Sequence, residues 1–462
     1  MRKDSSTSIL AGLVGIGAAL ALACGAAERA PAPPPATNLL WVSLDTLRAD
    51  RLGCYGYERA TTPTLDALAA RGVRFEDACA TSPWTMPSHA SMFTGRYPSR
   101  AGIVSFTTKL RTDVPHVAEL LRDQGFQTTA VVSNHAVTLH GLERGFDVFT
   151  YVERDPSPAP SDVTPTAIRQ LEALDPDRPF FALVHYNAVH ARYRARKKYV
   201  REFVEDYEGS ITGRNAQFLA HVTGERPFTA ADVAHLSNLY DAALRQLDDQ
   251  LKELFAYLDG RALLEETLVV ITSDHGEEFF DHDGVSHGMT QHQELVRVPM
   301  ILLGAGVPAG RVVQEPVSLI DLLPTSLERL GLPVPEGMDG LSLVETWRDE
   351  DALPERLLYF EANCEPPAGP VAILDPGTTR AIRDERYKLL YDLEHGPLAL
   401  YDLESDPNEE TDVSAAHSER AAGLEAALKH FLDSAPNAAT SVELSEEDLA
   451  ELGALGYGQG HQ

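Results

Sequence analysis

The sequence predicts an α/β fold, a largely parallel sheet with helices on both faces, followed by a smaller antiparallel domain. Two observations predict it. Short apolar runs that read as buried strands alternate with segments carrying apolar residues at helical spacing, from Asn38 to about residue 330. Beyond Trp347 this register gives way to short strand-like runs joined by turns and closed by a helix. The chain has 462 residues, 44% of them hydrophobic, enough for one large core and a smaller appended one.

In chain order, Arg2 and Lys3 precede an apolar run from Ile9 to Ala23. That run is too short for a membrane span, which takes ~20 apolar residues, and has the layout of a secretory signal. Ala21-Leu22-Ala23-Cys24 resembles a bacterial lipoprotein box. Residues 1–24 are therefore expected to be an export signal, leaving the protein in the periplasm or at the cell surface, lipid-anchored through Cys24. Residues 25–37 are a Pro/Ala linker.

The main domain, 38–347, opens with a strand at 38–44 that ends at Asp45. Helices follow at 64–71, from Pro87 to a C-terminal cap at Gly95, and at 114–124. Strands are expected at 128–133 and 179–186, a long helix at 236–258, and a strand at 266–272 ending at Ser273-Asp274-His275. A strand at 298–303 and a helix at 320–330 complete it. The second domain, 348–436, carries strands near 357–360, 380–391 and 398–401 and a helix near 415–434. The tail, 437–462, holds a short acidic amphipathic helix.

Basic residues number 39 and acidic ones 69, a formal charge of −30. Such a surface excludes nucleic acid and anionic membrane as electrostatic partners. An anionic substrate would have to be drawn in by a metal ion or a few placed cations. Past Cys24 the thiols are Cys54, Cys79 and Cys364, which allow at most one disulfide and suit no zinc ribbon.

Asp45 and Asp274 each stand just past a strand, at the edge where open α/β sheets bind ligands. Two carboxylates brought together there repel unless a cation lies between them, and His275 adds an imidazole. Each acid taken alone could equally be a surface loop residue. Thr85 falls at the start of the Pro87–Gly95 helix, where free N–H groups and the helix dipole favour an oxyanion. It reads either as a helix cap or as a metal-activated nucleophile.

Ordered stretches then carry a resemblance. They are NLLWVSLDTLRADRLGCYGYERATTPTLDALAARGVRFEDACA, PSHASMFTGRYP, GLERGFDVF, PFFALVHYNAVHARY, ITSDHGEEF with SHG, RVPMILLG, VSLIDLLPTSLERLGLPVPEGMDGLSL, RAIRDERYKLLYDLE and LYDLESDPNEETD. In this order, over about residues 38–412, the chain resembles the sulfatase family of the alkaline phosphatase superfamily. The resemblance implies a mixed sheet sandwiched by helices, plus a small C-terminal antiparallel-sheet domain. It implies metal ligation by Asp45, Thr85, Asp274 and His275, with Thr85 where sulfatases carry the cysteine or serine that becomes formylglycine. It gives His190 a contact with the anionic group or leaving oxygen, and His287 a role toward the leaving group. His185 and His282 stay open between structural and functional roles.

The motif departs from the family at informative places. Sulfatases read Cys or Ser, any residue, Pro, Ser or Ala, Arg; here Thr85-Met86-Pro87-Ser88-His89 stands instead, so no formylglycine can form. Cys79 does not rescue the motif, because no proline follows two residues later. The second of two usual aspartates is Thr46, Asn134 replaces a common lysine, and Ala188 replaces an aspartate. His89 and Asn134 are thereby expected to contact substrate. One divalent ion is expected, Zn²⁺ or Mn²⁺ over Ca²⁺ or Mg²⁺, given an imidazole and fewer carboxylates. A threonine ester must be cleared by a second attack at the central atom, which phosphorus tolerates well. The expected function is hydrolysis of phosphate-type esters, on a glycan or lipid. The alternatives are a sulfuric ester hydrolase, a phospho-head-group transferase and an inactive surface-anchored binding protein.

Overall fold

A computed structural model describes residues 35–152, 162–204, 206–348, 353–362, 379–435 and 440–455. The expected signal 1–24 with Cys24, the linker up to residue 34, Cys364 and the tail from 456 lie outside the described residues.

Strands Asn38–Leu44 (β1), Gly72–Cys79 (β2), Gln127–Val132 (β3), Val148–Tyr151 (β4), Phe180–Tyr186 (β5), Thr267–Thr272 (β6), Arg297–Gly304 (β7) and Arg311–Val313 (β8) form the main sheet. Their order is β8-β2-β7-β6-β1-β5-β3-β4, with Val317–Ser318 (β9) also beside β2. Alternate residues of β1 serve opposite layers: Leu39 and Trp41 join one apolar core, Leu40, Val42 and Leu44 the other. A strand buried on both faces has no polar side, which is why it reads as an unbroken apolar run.

Strands β4, β3, β5, β1 and β6 are parallel throughout. The expected strand at 298–303 is present as β7 but runs antiparallel to both β6 and β2. The cause is the connection. After β6 the chain turns back on itself, with the N–H of Gly276 bonded to the carbonyl of Leu295, so it re-enters the sheet from the end it left. A Cβ at Gly276 would lie 1.9 Å from the carbonyl oxygen of Glu294, so this close return admits only glycine.

Helices Pro63–Ala69 (α1), Thr85–Thr94 (α2), Val117–Asp123 (α3), Val163–Glu172 (α4), Ala230–Gly260 (α5) and Leu322–Arg329 (α6) cover the faces. α5 begins at Ala230, earlier than the apolar spacing indicates, because Thr229 and Asp232 form a capping box ahead of the first buried apolar turn.

Strands Leu358–Glu361 (β10), Thr379–Arg383 (β11), Tyr387–Asp392 (β12) and Gly396–Asp402 (β13) form a separate antiparallel sheet in sequence order. The expected 380–391 strand is thus two, split where Asp384 Oδ1 accepts from the N–H groups of Arg386 and Tyr387. One face packs Ile382, Leu389 and Leu400 on Leu424 and Leu428 of helix Ser418–Asp433 (α7). The other packs Phe360, Ala381 and Leu390 against Leu295 and Val296 ahead of β7. The acidic helix Glu446–Leu455 docks on the main core through fully buried Leu452, with Asp448 3.0 Å from His135.

Candidate active site

β1 and β6 are adjacent and parallel, so Asp45 and Asp274 leave the sheet on the same side and are both fully buried. Thr46 joins them. Its φ of 59° is costly for a β-branched residue, and its N–H reaches Asp274 Oδ1 at 3.3 Å while its carbonyl accepts from Tyr240 Oη at 2.8 Å. The N–H of His275 also donates to Asp274 Oδ1, at 3.0 Å. One oxygen of each acid is left over: Asp45 Oδ1 and Asp274 Oδ2 are buried and accept no hydrogen bond among the described residues.

His275 faces exactly those two atoms through a nitrogen that carries no proton. Its Nδ1–H donates to the carbonyl of Gly276 at 2.9 Å, so the Nε2 lone pair lies 3.7 Å from Asp45 Oδ1 and 3.5 Å from Asp274 Oδ2. Burial, with the nearby His287 ring, holds His275 well below its ordinary pKa, hence neutral. Burial works against ionisation of both acids. At Asp45 hydrogen bonding from His185 and the neighbouring His190 overcome it and hold the carboxyl far below its usual range. At Asp274 burial and the Asp45 charge push it well above.

Thr85 Oγ1 is 3.3 Å from His275 Nε2. α2 is capped by Trp84, without any side-chain cap bond, so Thr85 is the first helical residue and not the cap. Ser88 ties this turn to β6's end, donating to the carbonyl of Asp274 at 2.6 Å. The orphaned oxygens, a neutral imidazole and a hydroxyl converge as four donors of mixed O and N type, which fits one divalent cation.

His190 and His287 are both here. The His287 ring centroid lies 4.5 Å from that of His275 and 4.8 Å from that of His190. His287 Nδ1 donates to the buried Glu277 carboxylate at 2.9 Å, which fixes the ring and presents Nε2. Two expected substrate contacts are different in the structure. His89 is fully buried, with Nδ1 donating to the Thr85 carbonyl at 2.9 Å and Nε2 accepting from Ser43 Oγ at 3.0 Å. Burial and the His185 ring push its pKa down to about 3, so it offers no cation in place of the family's arginine. Asn134 gives an amide hydrogen to Asp45 Oδ2 at 2.6 Å and accepts from the N–H of Ala136 at 3.0 Å, orienting a carboxylate.

Sequence reasoning left His185 open; it lies under the site, Nε2 3.4 Å from Asp45 Oδ2. Glu277 and Ser43 were missed. The only signal for Glu277 was its place two residues after His275, and Ser43 looked like an ordinary strand residue.

The Sulfatase family profile matches residues 37–332, and that of the N-sulphoglucosamine sulphohydrolase C-terminal region matches 282–436. The chain is 26% identical over 445 residues to a Δ4,5-hexuronate-2-O-sulfatase of Bacteroides thetaiotaomicron, covering 85% of this chain and 86% of that protein. It is 28% identical over 446 residues to human arylsulfatase A, covering 84% and 85%. Among solved structures, a phosphonate monoester hydrolase from Silicibacter pomeroyi superposes with a TM-score of 0.70 at 22% identity, over 89% of this chain and 98% of the other. A 2-O GAG sulfatase superposes with a TM-score of 0.71 at 21% identity, over 87% and 93%.

Proposed function

The chain belongs to the sulfatase family and is a hydrolase acting on ester bonds, and from that premise we propose that it cleaves phosphate-type esters with Thr85 as nucleophile. The observation that carries the reading is the Thr85 hydroxyl, at a helix N-terminus and 3.3 Å from the unprotonated nitrogen of His275. Asp45, Asp274, His275 and Thr85 would hold one divalent ion, Zn²⁺ or Mn²⁺ by donor type, which lowers the pKa of a bound hydroxyl and neutralises an anionic ester. Thr85, its hydroxyl proton released to solvent, attacks the central atom as the bond to the leaving oxygen breaks. His287, held by Glu277 through Nδ1–H, delivers the Nε2 proton of its imidazolium form to the departing oxygen, with His190 alongside. The threonine ester is then cleared by water at the central atom, a step that favours phosphorus over sulfur.

A sulfuric ester substrate is the second reading, favoured by the sulfatase names of the relatives in sequence. Parallel turnover of an aryl sulfate, a phosphate monoester and a phosphodiester separates the two; dominant sulfate turnover sinks the phosphoester reading. We further infer export by residues 1–24 and tethering through Cys24, checked by mass analysis of the mature N-terminus for a lipidated cysteine.

A further inference from the structure

Directly after His190 the chain reads Ala191-Arg192-Tyr193-Arg194-Ala195-Arg196-Lys197-Lys198-Tyr199-Val200-Arg201, a run without a single acid in a chain of formal charge −30. Its residues alternate. Ala191, Tyr193, Ala195 and Tyr199 are buried, Arg192 and Arg194 half-buried, and Arg196, Lys197, Lys198 and Arg201 exposed. The apolar members fix the segment. Tyr193 packs edge-on to Tyr240, with centroids 5.8 Å apart, and beside Phe279 at 5.6 Å, while Ala195 and Tyr199 pack on Ala242 of α5. Arg192 (φ 85°) holds a left-handed backbone conformation two residues beyond His190.

Some surface arginines elsewhere find carboxylates, as Arg71 with Asp259 at 2.9 Å, Arg111 with Asp113 at 2.6 Å and Arg386 with Asp402 at 2.7 Å, while others such as Arg169, Arg178 and Arg226 bond only to hydroxyl or carbonyl oxygens. In the run, Lys198 has Asp249 at 3.5 Å, but Arg194, Arg196, Lys197 and Arg201 form no ion pair among the described residues. With 69 acidic residues available, neighbouring cations kept out of ion pairs in the stretch that directly follows His190 fit a site kept for an incoming anion.

We propose that Arg194, Arg196 and Lys197 bind a second anionic group of the substrate, a sulfate, phosphate or carboxylate carried on the molecule whose ester is cleaved beside His190. This rests on the ester-hydrolase reading and adds that the preferred substrate is a soluble polyanion, not a singly charged ester. Guanidinium forks suit such planar or tetrahedral anions.

The test uses two aryl esters of the class the enzyme turns over, identical except that one bears an additional carboxylate or sulfate. Arg194→Ala and Arg196→Ala together are expected to lower kcat/KM about tenfold for the doubly charged ester, through KM, and to leave the singly charged one unchanged. Equal effects on both esters, or none, overturn the proposal. A second arm is independent of turnover. Dextran sulfate should bind the full-length Thr85→Ala protein, and Arg194→Glu should weaken that binding at least tenfold; unaltered binding overturns the proposal. So does co-sedimentation with phosphatidylglycerol vesicles that dextran sulfate does not displace, which would assign the run to a membrane surface.

Discussion

Two clusters of carboxylates and imidazoles in this protein share residue types and differ in how their charge is answered. At the sheet edge, Asp45 Oδ1 and Asp274 Oδ2 have no donor and face the lone pair of a neutral His275. Between the 278–286 hairpin and the C-terminal sheet, His282 stacks on His292, with centroids 3.5 Å apart, beside Glu294, Glu409 and Lys388. There every charge has a partner. His282 donates through Nδ1 to Glu294 at 2.8 Å and through Nε2 to the Glu409 carbonyl at 3.1 Å, so the ring is a cation. Glu409 meets the buried Lys388 ammonium at 2.8 Å and accepts from His292 and from the N–H of Gln293. The first cluster takes its cation from outside, a proton on Asp274 or a divalent ion between the acids; the second contains its own. Acid and imidazole proximity alone is therefore a weaker guide to a metal site than orphaned buried oxygens facing an unprotonated nitrogen.

The contrast breaks most easily at Thr85. With Thr85 as the proposed nucleophile, Thr85→Ala should lower turnover by ~10³-fold or more, and with Trp84 as the helix cap the unfolding midpoint should be nearly unchanged. Activity within tenfold of wild type removes Thr85 as nucleophile. Next come the paired acids. Asp274→Asn should strip the divalent ion, read by elemental analysis of the purified protein. Glu409→Gln should leave the ion in place yet destabilise the fold by about 3 kcal/mol in urea, since it strands the buried Lys388 charge. Metal loss in Glu409→Gln would erase the distinction between the clusters.

The second cluster also has a pH signature. Burial opposes the His282 charge, but the bond to Glu294 outweighs it and pushes the pKa up to about 9 from the usual 6.5. A raised histidine contributes stability fully below pH 6.5 and loses it as pH climbs through 9. Burial and the Glu294 charge push Glu278 up to about 7, so ionising it between pH 4.5 and 7 also weakens the fold. Thermal midpoints of the metal-loaded protein should fall from pH 6 to pH 9.5, and His282→Gln should flatten the upper part of that fall. An unchanged slope in the variant dismisses the imidazolium.

The apolar rhythm of the sequence reported the strands and helices buried on a whole face. It was silent on β2, whose Gly72–Cys79 stretch mixes charges with apolar residues, on the short β4, and on α4. It also could not give the direction of β7, which depends on a turn held by one backbone bond between Gly276 and Leu295. In the site, Asp45, Asp274 and His275 were legible because strand ends put them at one edge, and Thr85 because the ordered family motifs outweighed its reading as a helix cap. The roles of His89 and Asn134 were not, because aligned position says nothing about which way a buried ring or amide points. Ring nitrogens bonded to Ser43 and the Thr85 carbonyl decide His89.

Asn134 gives the smallest and most discriminating effect. If its amide served an oxyanion, Asn134→Ala would raise KM and added metal would change nothing. Bonded at 2.6 Å to Asp45 Oδ2, it instead turns that carboxylate so that Oδ1 faces His275. Groups that orient a ligand in this way typically govern metal affinity by ~10–100-fold. Asn134→Ala is therefore expected to weaken metal binding about tenfold and to recover most of its activity in excess Zn²⁺ or Mn²⁺. Failure of either ion to restore turnover returns Asn134 to the substrate and leaves the orientation of Asp45 to His185 alone.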